Sequence, residues 1–343
     1  MQDTPFFVKE EVGGAIKVTA TDSAYYTLYG ICMHVSGTFE RLAAVPAAPE
    51  ADVTLHLGGL PQWALSISGE LCYGIEPESP EEYSSLRIYR LAHKPYYLFR
   101  FPEEINFLVR QDGRQIQGDW PKRFSLDYVA PLILGPLMGH ILRFQGVTAL
   151  HGSVIEIGGR AVVMIGSAGA GKSTTAAAFA KLGYRILSDD LAALRPSGNC
   201  FVVSPGYPRI CLWPESVEFL FGADDALPLI TEGWEKRYLG LADGQYKFCP
   251  VELPLGAIYL LSDQIESDAP SIADMPTQNK LSALLVNAYG AGFQDLAASA
   301  RELQDHAGIL RAVPVRRVAD YRDSALITTL CATIAKDFQN VQR

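Results

Sequence analysis

Residues 166–175 read GSAGAGKSTT. Gly166, Gly171, Lys172 and Ser173 stand at the spacing G-x-x-x-x-G-K-[ST], which suits a polyphosphate. Glycines let the backbone curl so that several N–H groups point inward at phosphate oxygens. Lys172 adds a point charge near the β- and γ-phosphates, and the Ser173 hydroxyl is a ligand for Mg²⁺. The candidate nucleotide-binding residues are therefore Gly166, Ser167, Ala168, Gly169, Ala170, Gly171, Lys172, Ser173 and Thr174. Phosphoryl transfer also needs an acid for the metal and a carboxylate for the acceptor hydroxyl. Asp189 and Asp190, closing YRILSDD (184–190), are the candidates. Along a regular strand adjacent side chains point apart, so one aspartate would face the nucleotide unless the strand is already breaking into a turn. His151, in LHGSV, precedes Gly166 by fifteen residues. Alone, a His-Gly pair reads as structural.

These residues need particular elements around them. RAVVMI (160–165) is a short apolar, β-branched run, a buried strand by pattern. KSTTAAAFAKLG (172–183) is Ala-rich and helix-prone, with Gly183 at the position of a C-terminal stop. The helix N-terminus would face the phosphates. VIEI and AVVMI flank Gly158-Gly159, a hairpin signal. Before this core, YVAPLILGPLMGHILRF (128–144) reads as a buried helix bent near Pro136, too interrupted to span a bilayer.

Segments 15–20, 52–57, 85–91, 96–101 and 105–110 mostly alternate apolar with polar residues, as sheets with one wet face do. Residues 1–125 are expected to form a β-rich accessory or substrate-recognition domain, and 126–343 a P-loop catalytic domain. After the core, strands are expected at CFVVSP, YPRICLW and GAIYLL, helices over 278–306 and 323–338, and a short strand at VPVRRV. GADDALPLITEGWEKRYLG (222–240) reads as a mobile loop with an exposed Trp234. The fold class is α/β: a mixed sheet with helices plus an N-terminal β-rich part.

Composition bounds the function. The 343 residues are 48% hydrophobic and 20% charged, a globular composition, with a net charge of −9 that argues against a nucleic-acid partner. The six cysteines show no C-x-x-C spacing, which argues against zinc and for reduced thiols in a cytoplasmic protein. The N-terminus MQDTPFFVKEEVGG lacks the order of a signal peptide.

The run HGSVIEIGGRAVVMIGSAGAGKSTTAAAFAKLGYRILSDDLAAL resembles the core of the HPr kinases, bacterial P-loop serine kinases related in fold to phosphoenolpyruvate carboxykinase. The match runs from His151 through Asp190 without a gap. The resemblance implies ATP and Mg²⁺, Lys172 on the phosphates, Ser173 on the metal, Asp190 accepting the proton of an acceptor serine, and His151 orienting that acid. Asp189 is a further metal candidate. The family's downstream metal-binding glutamate has Glu215 as its nearest match, with Glu218 as the alternative. The family's E-I-R-G and P-G-R-N segments are replaced here by PGYPRICLWPES (205–216) and VELPLGA (251–257). YPRICLWP is instead similar to HPr-kinase-like enzymes that phosphorylate a serine on ribosomally made peptide precursors, including lasso peptides. Arg209, Lys236 and Arg237 then become candidate phosphate or peptide-carboxylate contacts.

The expected activity is ATP-dependent phosphorylation of a serine on a peptide or small protein. The alternatives are a nucleotide-binding sensor or adaptor without transfer, a small-metabolite kinase, and an HPr kinase proper. A homo-oligomer is left open.

Overall fold

In the computed structural model of the chain, residues 23–39, 42–48, 50–74, 86–242, 244–293, 296–321 and 324–341 are described. The strand expected at 15–20 lies outside them. Strands β1 (Ala24–Leu28), β2 (Ile31–Val35) and β3 (Val53–Leu57) come first. A short helix α1 (Gln62–Ser66) separates them from β4 (Gly69–Tyr73), β5 (Arg87–Leu91), β6 (Tyr96–Arg100), β7 (Asn106–Arg110) and β8 (Gln115–Asp119). The eight strands make one sheet, β1-β2-β3-β8-β7-β6-β5-β4, parallel only at β2/β3 and β3/β8. Alternation holds in β1 to β3, where every second side chain is buried or nearly so.

The apolar run after this sheet is helical, in three pieces. α2 (Leu126–Leu132) starts on a Ser125 cap that accepts from the Tyr128 N–H. A π-helical turn covers Ile133–Leu137, and α3 (Met138–Phe144) completes the run. Pro136, the site of the expected bend, lies inside that π turn, a departure from the regular ladder that suits a residue without an N–H. Ile133, Leu137 and Ile141 pack with Tyr26, Met33, Phe99 and Phe107 of the first sheet, and the same core continues to Ala149, Leu191 and Tyr207. Burial of this apolar area is the main force holding the first sheet to the rest of the chain.

The second sheet contains β9 (Thr148–Ile157), β10 (Arg160–Ile165), β11 (Arg185–Ser188), β12 (Leu191–Ser197), β13 (Cys200–Ser204), β16 (Lys247–Phe248), β17 (Leu253–Ser267), β18 (Ser271–Asp274) and β19 (Val315–Tyr321). β14 (Arg209–Leu212) and β15 (Arg237–Gly240) form a separate hairpin. Helices α4 (Lys172–Lys181), α5 (Pro214–Phe221), α6 (Thr277–Val286), α7 (Leu296–Ala312) and α8 (Ile327–Val341) complete the chain. The fold is thus α/β with mixed sheets, as expected. The long strands β9 and β17 change partners along their length, so hydrogen-bonded neighbours run β9, β12, β13, β17, β10 and back to β9.

Two expectations need correction. The helical run over 278–306 is interrupted: the chain leaves α6 at Asn287, Ala288 bridges to Leu150 of β9, and Gly290 and Gly292 take positive φ. Segment 222–240 is pinned rather than loose. Leu229 bridges to Arg237, the Ile230 N–H donates to the Lys236 carbonyl, and Trp234 is half-buried with its ring 6.1 Å from that of Tyr128.

Candidate active site

The hairpin β9–β10 sets the first distance. Its Gly158–Gly159 turn puts Arg160 opposite Ile157 and Ile165 opposite Gly152. One further step brings His151 beside Gly166, so fifteen residues of separation become neighbourhood. β10 delivers the candidate phosphate loop from a buried strand, and α4 begins directly after Gly171, whose φ is +81°. Gly166 has a second reason to be glycine, since a Cβ there would meet the Leu261 carbonyl of β17 at 2.8 Å. Lys172 is buried, and its Nζ donates to the carbonyls of Gly166 and Ser167, each at 2.8 Å. Burial lowers the Lys172 pKa, while the charges of Asp190 and Asp189 oppose the shift.

The aspartate pair interrupts a strand. β11 and β12 both run antiparallel to β9, Ser188 opposite Val154 and Leu191 opposite His151. Between them Asp190 takes φ +70°, the left-handed region that costs a non-glycine residue about 1 kcal/mol or more. The two side chains part company there. Asp189 is buried and accepts from Ser153 Oγ at 2.7 Å and from the Cys211 N–H at 2.9 Å. Burial raises its pKa, and the hydrogen bond from Ser153 resists that shift. The Ser173 hydroxyl is also in hydrogen-bonding reach of Asp189. Asp190 turns to the open side, with Oδ1 3.4 Å from His151 Nδ1 and Oδ2 accepting from the Tyr289 hydroxyl at 3.5 Å. Tyr289 also lies 3.4 Å from His151 Nδ1. Burial lowers the His151 pKa, more than the Asp190 charge raises it.

The other candidates are distributed less evenly. Thr174 Oγ1 meets Ser216 Oγ at 2.9 Å and ties α4 to α5. Glu215, next to that contact, is exposed in the first turn of α5, and Glu218 is exposed one turn later. Among the described residues no three His, Cys, Asp or Glu side chains converge into a metal cluster, so Asp189 and Ser173 come together without Glu215. Lys236 stands over the Trp213 ring at 4.8 Å, and its charge reaches Lys172 and His151. Arg209 lies over the Tyr238 ring at 4.6 Å. Arg237 donates to the Leu227 carbonyl at 2.8 Å and braces the segment after α5.

Several site residues escaped the sequence reading. Asn287 Oδ1 accepts from the Gly166 N–H at 3.1 Å, its carbonyl accepts from the His151 N–H at 2.7 Å, and the Tyr289 N–H donates to the Ala149 carbonyl at 2.8 Å. The glycines of NAYGAG (287–292) were the available signal that the helix stops here. Ser153 carries no such signal, nor does Gly135, whose Cα faces the Asp190 carboxylate closely enough to leave no room for a Cβ. The Tyr29 hydroxyl, from the turn after β1, donates to the Leu134 carbonyl at 3.1 Å. Burial raises its pKa, and the charges of Asp190 and Asp189 add to that shift.

The chain is 31% identical over 134 residues to HPr kinase/phosphorylase 1 of Oceanobacillus iheyensis, covering 34% of this chain and 43% of that protein. It is 42% identical over 125 residues to HPr kinase/phosphorylase of Bacillus licheniformis, covering 31% of this chain and 40% of that protein. The chain is HPr kinase-like over about a third of its length. It spans about two fifths of the length of the curated relatives it matches. No family model matches. Among solved structures, the Hpr(Ser) kinase/phosphatase of Coxiella burnetii aligns over 57% of this HPr kinase-like chain and 99% of its own, at 13% identity and a TM-score of 0.32. Among the described residues no helix is long and apolar enough to cross a membrane.

Proposed function

We propose that the chain is an ATP-dependent serine kinase acting on a peptide or small protein. The observation that carries this reading is Asp190, held in a left-handed turn 3.4 Å from His151, whose register sets it beside Gly166. A nucleotide-binding module needs the loop but has no use for a carboxylate posed on the acceptor side. The serine oxygen attacks the γ-phosphorus, the bond from that phosphorus to the bridging oxygen of ADP breaks, and the hydroxyl proton passes to Asp190. Neutral His151 orients the carboxylate. Lys172 offsets charge on the transferred group.

ATP fits the glycine turns and the buried lysine. Mg²⁺ fits an oxygen set of the Ser173 hydroxyl and the Asp189 carboxylate, already poised by Ser153 and Cys211, and would neutralise phosphate charge. Glu215 would have to swing in from α5 to join them. Residues 126–343 serve as the catalytic part and residues 1–125 as the accessory, substrate-recognition part, in a cytoplasmic protein. The acceptor we favour is a ribosomally made precursor peptide of the lasso type, on the YPRICLWP stretch, with Arg209 and Lys236 as contacts. The relatives' own name offers HPr as the second candidate.

The test uses γ-labelled ATP and serine-containing peptides. Label should move to serine with the wild type, and Lys172→Ala should lose both nucleotide binding and transfer. Asp190→Asn should bind ATP and transfer nothing. Normal transfer by Asp190→Asn would remove that residue from its role.

A further inference from the structure

A cleft of about 360 Å³ opens between the phosphate loop and the first sheet. Its floor is His151 and the loop entrance at Ser167 and Ala168, and its walls are Tyr289, Val286 and Tyr73. The last comes from β4, in the opposite sheet, so the cleft is built from distant parts of the chain. We infer that this cleft seats the acceptor as a short extended peptide segment, with an uncharged apolar side chain beside the serine read by Tyr73 and Val286. This rests on the kinase reading and deepens it.

Three observations carry the inference. The first is position. A hydroxyl entering along the cleft meets the loop entrance on one side and His151, the neighbour of Asp190, on the other. The second is chemistry. Among the described residues of the lining, His151 is the only titratable group besides the tyrosine phenols, while Val286 is 75% exposed at the rim. Covering that valine with a charged side chain would desolvate the charge without pairing it, whereas an apolar one gains by burial. The volume sits at the small end of ligand clefts, enough for a piece of chain and not for a folded domain.

The third is rigidity. The Tyr289 ring lies 5.8 Å from the His151 ring and against Gly139, where an added Cβ would collide with it. Tyr73 packs edge-on against buried His140 at 4.9 Å, and the Tyr289 ring touches His140 from another side at 6.5 Å. The two tyrosine walls are thus fixed through one histidine of α3. A preformed cleft binds without the cost of ordering its own walls.

The experiment is a positional-scanning peptide library with a fixed serine, labelled from γ-labelled ATP by the wild type, Val286→Asp and Val286→Lys. Nucleotide affinity is read on the same samples. Wild type should select apolar residues beside the serine, Val286→Asp should turn the selection towards Lys and Arg, and Val286→Lys towards Asp and Glu. For the best peptide, Tyr73→Ala should raise KM about tenfold with kcat kept, the loss of one good apolar contact. Labelled peptides with selection unchanged in both Val286 variants sink the cleft assignment and leave the kinase reading standing. An unchanged KM in Tyr73→Ala removes the first sheet from the acceptor site. A wild type that binds ATP and labels no peptide overturns the kinase reading, and the cleft with it.

Discussion

A Cβ atom on Gly135 would stand 2.8 Å from Oδ2 of Asp190. The π turn of the connecting helix therefore comes up against the proposed catalytic carboxylate, and only hydrogen fits between them. Gly135→Ala should push the carboxylate off His151. Displacement on the ångström scale costs up to about 100-fold in rate. Stability should hold or rise by up to ~1 kcal/mol, since alanine suits a helix better than glycine. Kinetics and denaturant midpoints on one preparation check both, and a fast variant would show that the contact is slack.

Tyr289→Phe removes the hydroxyl that faces both His151 and Asp190 and leaves the ring wall in place. Burial holds that phenol well above its ordinary pKa of 10, so it remains a proton donor to the carboxylate. Loss of one hydrogen bond to a charged group should lower kcat about tenfold. Nucleotide affinity should not move, because Asn287, not Tyr289, holds the Gly166 N–H.

Activity should have an acid limb. Burial, opposed by Asp190, holds the His151 pKa below 6.5. Transfer is then fullest with His151 neutral and declines as pH falls beneath that value and the imidazole takes a proton. A pH profile of kcat checks this, and His151→Gln should flatten the limb while lowering the plateau.

Stability should also be acid-sensitive, through different histidines. Burial, aided by the Arg143 charge, pushes the His140 pKa down to about 3, and burial pushes His306 down to about 4, both from 6.5. Below 6.5 the unfolded chain binds protons that the folded chain refuses. Stability is therefore full above that value and falls towards the folded pKa values, by up to ~1.4 kcal/mol per pH unit for each histidine. Urea midpoints across the window should fall less steeply in His140→Phe than in the wild type.

Glu302→Ala should cost about 3–5 kcal/mol by leaving the buried Arg143 guanidinium short of its carboxylate. The pair fastens α7 to α3, and Arg301 adds a bond to the Arg143 carbonyl at 2.9 Å. Thermal melts report the loss. A shift of less than about 1 kcal/mol would mean that water reaches the guanidinium.

The sequence by itself determined the glycine-rich loop, the strand before it, the helix after it and the tight turn at Gly158–Gly159. Each is written in local chemistry: glycines where φ turns positive, β-branched residues in a buried strand, alanines in a helix. From that turn even the meeting of His151 with Gly166 can be worked out, because antiparallel register is fixed by loop length. Only the tertiary structure decided which way each aspartate faces. The pair is adjacent in sequence, and the left-handed Asp190 separates a buried acid beside Ser153 and Ser173 from an open one beside His151. It likewise brought Gly135, Asn287, Tyr289 and Tyr73 to the candidate site. Their roles are close approach and long-range hydrogen bonding across helices and both sheets. Such contacts leave no periodicity or motif, since they depend on what the fold brings opposite them.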